Sequence, residues 1–98
     1  MDIVEFDTRR GVIDGLMIVT MKQVTDERGT IREAFRRSAF DAAGIDIGDF
    51  GQVNVSETRY GAVRGMHAEE MTKLVSVASG EALGVYLDLR PDSPTRGE

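Results

Sequence analysis

Arg64-Gly65-Met66-His67, with Lys73 six positions after the histidine, is the segment best equipped for chemistry. His67 is the chain's only histidine. Imidazole is the side chain whose ordinary titration range lies nearest neutrality, so His67 is the ready general base. Extended backbone puts Arg64, Met66 and Ala68 on one face and Gly65, His67 and Glu69 on the other, unless a bulge at Gly65 breaks the alternation. Lys73 opens an apolar run. Its ammonium either snorkels to water or points inward, where it stabilises a developing oxyanion.

Two further segments carry polar chemistry. In Gln52-Val53-Asn54-Val55-Ser56 three neutral polar residues alternate with two valines. That is either a half-exposed outer strand or a polar wall orienting the hydroxyls and carbonyls of a ligand. Arg28 lies in Asp26-Glu27-Arg28-Gly29-Thr30. It is either part of a solvated turn or a planar fork that grips a diphosphate.

Short strands separated by glycine turns must position these groups. The chain holds 11 glycines and 2 prolines. Residues 16–21 are apolar and partly β-branched, which fits a buried strand. Asp26-Glu27-Arg28-Gly29 reads as a turn, followed by extended chain over 30–36 with Ile31, Glu33 and Phe35 on one face. One short helix is expected over 38–44, ending at Gly44 and anchored by Phe40. Strands are expected at 50–56, 74–78 and 83–90, the last with Val85, Leu87 and Leu89 opposite Tyr86, Asp88 and Arg90. The class is all-β: an antiparallel sandwich or barrel. Five or six strands fall short of the roughly eight of a closed jelly roll. The fold is therefore expected to be incomplete in 98 residues, and its open edges call for a homodimer or for more chain.

Composition bounds the function. Ninety-eight residues suit one domain, 1–98. Absent cysteines exclude disulfides, thiolate zinc sites and cysteine nucleophiles. A single histidine argues against a multi-imidazole metal site, so no metal is expected. A formal charge of −5 argues against nucleic acid as a partner, while local arginines can still hold a small anion. No apolar run approaches the roughly 20 residues of a membrane span, and no secretory leader pattern opens the chain. No membrane partner and a cytoplasmic address are the expectations.

The order of these segments resembles the dTDP-4-dehydrorhamnose 3,5-epimerase family, a cupin-type jelly roll. The matching pieces are Asp26-Glu27-Arg28-Gly29-Thr30 with Glu33 and Phe35, Gln52-Val53-Asn54-Val55-Ser56, and Val63-Arg64-Gly65-Met66-His67. Lys73-Leu74-Val75-Ser76-Val77 with Gly80 follows, then Val85-Tyr86-Leu87-Asp88-Leu89-Arg90 with Ser93-Pro94-Thr95. The resemblance implies a cofactor-independent isomerase of carbohydrate metabolism. Its substrate is a dTDP-linked 4-keto-6-deoxyhexose of dTDP-rhamnose biosynthesis, epimerised at C3, C5 or both.

By the same resemblance His67 is the catalytic base and Lys73 stabilises the enolate. Arg64 binds near the phosphates, Arg28 and Glu33 serve the nucleotide end, and Gln52 and Asn54 line the pocket. The family's tyrosine acid and histidine-orienting aspartate lie further along its longer chain, and neither Tyr60 nor Tyr86 matches that tyrosine. The 98 residues are expected to be the N-terminal part of a longer epimerase domain. Ala68-Glu69-Glu70-Met71-Thr72 makes a shorter connection to the lysine than the family pattern and marks a divergent branch. The alternatives are a nucleotide-sugar ketoisomerase and a non-catalytic, dimerising nucleotide-sugar-binding cupin domain.

Overall fold

The computed structural model describes residues Met1–Glu98. The chain forms two compact units, one of Met1–Ile45 with Ala82–Glu98, the other of Asp46–Glu81.

The first unit holds every regular element. Strands β1 (Asp2–Val4), β4 (Gln23–Asp26) and β5 (Gly29–Arg32) make a three-stranded antiparallel sheet in the order β1-β4-β5. Strands β2 (Asp7–Arg10) and β3 (Met17–Thr20) form a separate antiparallel pair. The turn expected at Asp26-Glu27-Arg28-Gly29 joins β4 to β5, with Asp26 opposite Gly29 and Thr25 opposite Thr30. Asp26 Oδ1 accepts the Arg28 backbone N–H at 2.8 Å, an Asx-type closure. Gly29 takes φ +131°, which side-chain-bearing residues rarely adopt. Cross-strand pairs fix the register: Thr25 and Thr30 hydroxyls meet at 2.8 Å, and Arg32 Nε donates to Gln23 Oε1 at 2.7 Å.

The extended run beyond β5 is shorter than expected, because β5 ends at Arg32. One further ladder-like bond runs from Glu33 N–H to the Lys22 carbonyl at 2.9 Å. The chain then enters α1 (Arg37–Ala42). This is the expected helix, begun one residue earlier than the sequence suggests. It closes in a Schellman arrangement: Ile45 N–H reaches the Phe40 carbonyl at 2.9 Å and Gly44 N–H the Asp41 carbonyl at 3.1 Å. Gly44 supplies the positive φ of +74° that this ending needs.

Phe40 is the one fully buried large side chain, at 1% exposure. The rings of Phe35 and Phe6 pack on it in tilted geometry, with centroids 4.9 and 5.7 Å away. This aromatic trio holds a six-residue helix that has too few internal bonds to persist alone.

A second anchor closes the unit near its C-terminal end. Asp88, 4% exposed, accepts bonds from the Arg90 backbone N–H at 3.1 Å and from Arg90 Nε and Nη2 at 3.0 Å each. The hydroxyls of Ser93 and Thr95 also donate to it. Arg90 Nη2 continues to the Asp14 carbonyl, while Asp14 N–H donates to Thr95 Oγ1 at 2.8 Å. The β2–β3 loop is thereby tied to the last turn. Arg90 above all, then Ser93 and Thr95, holds the Asp88 carboxyl far below the usual carboxylate range.

Several expected strands are corrected. Residues 50–56, 74–78 and 83–90 join no sheet, and no closed barrel forms. Their alternation designates a face but supplies no partner edge, and a strand exists only by pairing. Their apolar residues accordingly stay open to solvent, Val55 at 93% and Leu83 at 90%. The architecture remains antiparallel strands with little helix, an all-β cupin-like fragment. No helix is long and apolar enough to cross a membrane.

Candidate functional site

Gln52, Asn54, Arg64, His67 and Lys73 lie in the 46–81 unit, whereas Arg28 and Glu33 lie in the other. Within the 46–81 unit, Gln52 Nε2 donates to Asn54 Oδ1 at 3.0 Å. The two amides thus share a face, as alternation requires, although no ladder bonds hold the segment. A turn bonded from Ala62 N–H to the Arg59 carbonyl at 3.0 Å, with Gly61 at φ +81°, brings the chain toward Arg64. The Arg64 guanidinium is held by its own loop. Nε donates to Thr58 Oγ1 and Nη2 to the Glu57 carbonyl, each at 2.8 Å.

Gly65 takes φ +125°. The strict strand alternation from Arg64 to Glu69 is therefore absent. His67 is exposed. Two residues on, the Glu69 carbonyl accepts the Met71 N–H at 3.0 Å, a tight turn that doubles the chain back. Glu69 Oε2 then meets Lys73 Nζ at 2.9 Å, both side chains about half exposed. The bonded Lys73 ammonium lowers the Glu69 pKa; burial opposes this, and the charge of His67 adds a smaller lowering. Glu69 and Lys73 therefore form one ion pair, whose carboxylate also feels the charge of His67. Sequence reasoning put Glu69 on the His67 face and missed its bond to Lys73. No sequence signal pointed to it, because the i,i+4 spacing of glutamate and lysine favours pairing on a helix and residues 69–73 form none.

In the other unit Arg28 is engaged inside its hairpin. Its Nη2 and Nε bond Asp26 Oδ2 at 2.7 and 3.2 Å, while the side chain stays largely exposed. Glu33 is bonded by the Arg36 guanidinium, which holds its carboxyl below the usual range. Two shallow surface depressions, one beside Phe6 and Ala39 and one beside Asp14 and Arg90, contain none of the predicted site residues.

The residue types of the 46–81 unit suit proton abstraction: an exposed imidazole, an ammonium held by Glu69, an anchored guanidinium and a pair of amides. Comparison with known proteins identifies the family. The family model for dTDP-4-dehydrorhamnose 3,5-epimerase matches residues 10–98. The chain is 37% identical over 97 residues to the dTDP-4-dehydrorhamnose 3,5-epimerase of Methanothermobacter thermautotrophicus, covering 96% of this chain and 52% of that protein. It is 34% identical over 90 residues to the enzyme of the same name from Shigella flexneri, covering 88% and 50%. To the dTDP-4-dehydro-6-deoxyglucose 3-epimerase of Streptomyces bikiniensis it is 38% identical over 78 residues, covering 74% and 39%. The chain spans about half the length of the curated relatives it matches. No solved structure gives a significant match. With the match running through the Arg64–His67 segment and Lys73 to the last residue, the chain belongs to the dTDP-4-dehydrorhamnose 3,5-epimerase family.

Proposed function

We propose that the protein is a nucleotide-sugar epimerase acting on a dTDP-linked 4-keto-6-deoxyhexose. The carrying observation is the family match over residues 10–98, which contains His67 and Lys73. A C4 ketone acidifies both neighbouring carbons. Neutral His67 takes the proton from one of them, and the C–H electron pair moves into the ring to give an enolate. The negative charge gathers on the former carbonyl oxygen, where the Lys73 ammonium meets it. A proton from solvent, delivered to the opposite face of the carbon, inverts the centre; the carbonyl re-forms and His67 returns its own proton to solvent. No electron leaves the substrate, so the reaction requires no redox cofactor.

The other residues bind. Arg64 meets the diphosphate with the guanidinium edge that Thr58 and Glu57 leave open, and Arg28 meets the nucleotide end by exchanging its Asp26 partner for phosphate. Glu33 contributes at the nucleotide end. Gln52 and Asn54 offer amide donors and acceptors to the sugar. The protein works as a homodimer in the cytoplasm, and pairing covers the open apolar segments of the chain.

Incubation with the 4-keto sugar nucleotide in deuterated water tests this. An epimerase places deuterium at C3, C5 or both. The Streptomyces bikiniensis relative is named for the 3-position alone, which makes C3 the first carbon to inspect. A protein that binds the nucleotide sugar without exchanging either proton is a binding domain, and the proposal fails.

A further inference from the structure

We propose that Glu69 is a positioning residue, the group that fixes the Lys73 ammonium for the enolate oxygen; the inference rests on the epimerase reading. Three observations support it. Glu69 Oε2 lies 2.9 Å from Lys73 Nζ. The Glu69–Met71 backbone bond at 3.0 Å folds the chain so that a side chain two residues after His67 reaches one six residues after it. The same carboxylate responds to the charge of both His67 and Lys73.

The chemistry needs such a group. A lysine side chain is a point charge on a flexible four-carbon stem. Left alone on an open surface, its ammonium wanders over several ångströms, and an oxyanion stabiliser off by one ångström loses most of its effect. Glu69 uses one of three ammonium donors and leaves two for the enolate oxygen. Glu70, next in sequence, makes no ion pair. The short Ala68-Glu69-Glu70-Met71-Thr72 connection is what brings carboxylate and ammonium together.

A double-mutant cycle on the full chain tests the inference, read as deuterium exchange into the 4-keto sugar nucleotide. Glu69→Ala lowers the exchange kcat about tenfold while KM stays within about twofold, because the ammonium is misplaced rather than removed. Glu69→Gln, whose amide oxygen still accepts a bond from Lys73, recovers part of the loss. In a Lys73→Met background Glu69→Ala changes the residual rate by less than about twofold, since no ammonium is left to position. Glu69→Ala exchanging at the parent rate overturns the inference. So does a loss of the same factor with and without Lys73, which marks Glu69 as acting elsewhere. A parent protein that exchanges nothing overturns the epimerase reading and this inference together, a pattern distinct from failure of Glu69 alone. Both side chains are half exposed, so the variants keep the parent circular dichroism.

Discussion

Replacing Phe40 by alanine removes the largest single contribution to the core of the Met1–Ile45 and Ala82–Glu98 unit. Phe40 is the one fully buried large side chain, at 1% exposure. A buried Phe→Ala change costs about 3–5 kcal/mol through lost transfer energy and the cavity left behind. The two tilted ring contacts, at 4.9 and 5.7 Å, account for about 1–3 kcal/mol of this at about 0.5–1.5 each. Small domains have only about 5–15 kcal/mol in total, so Phe40→Ala takes about a fifth or more of it. Phe40→Leu refills most of the volume and forfeits mainly the ring contacts, at a cost of about 1–3 kcal/mol. Urea unfolding followed by far-UV circular dichroism separates the cases, since the chain has no tryptophan to report by fluorescence. With a slope of about 1 kcal/mol per molar urea, the midpoint falls by about 3 M or more for alanine and about 1–3 M for leucine. An alanine midpoint within about 0.5 M of the parent refutes the claim that Phe40 and its ring partners are a main anchor of this unit.

Two further outcomes follow from the anchored polar groups. Arg90, Ser93 and Thr95 depress the folded-state pKa of Asp88, so its contribution to stability is complete above the unfolded carboxyl value of about 3.9 and is lost as pH falls through the folded value. Asp88→Asn should therefore destabilise the unit at neutral pH and flatten the acid limb below about pH 4 in thermal melts; an unchanged acid limb would assign that pH dependence to other carboxylates. Arg64→Lys should weaken binding of a nucleoside diphosphate in calorimetry, because an ammonium lacks the planar fork, and unchanged affinity would exclude Arg64 as a phosphate ligand.

Local chemistry was legible in the sequence, and pairing was not. The Asp26–Gly29 turn, the helix ending at Gly44 and the strand at Met17–Thr20 rest on signals carried by the residues themselves. Strands β1 and β2 escaped because Asp2-Ile3-Val4 is too short to show alternation and Asp7-Thr8-Arg9-Arg10 is polar; their partners define them. The opposite error befell residues 50–56, 74–78 and 83–90, whose apolar alternation is clear and whose ladders are absent. Alternation encodes a face, whereas a ladder needs a second chain segment in register. At the site, residue type exposed His67, Lys73 and Arg64 as chemically capable. Their partners Glu69, Thr58 and Glu57 came only with the folded loop. Asp88 was read as one residue of a polar strand face, although Arg90, Ser93 and Thr95 within seven positions already offered it donors.

In the proposed reaction His67 removes a proton next to the C4 ketone. Deuterium incorporation into a dTDP-4-keto-6-deoxyhexose, followed by NMR with the full-length protein and its His67→Asn variant, measures it directly. The parent should exchange at C3, C5 or both, and the variant at a rate lower by about 10²–10⁴-fold, the usual worth of a positioned base. Exchange at the parent rate in His67→Asn would move the base to another group, with Glu69, two residues on in sequence, the first carboxylate to test.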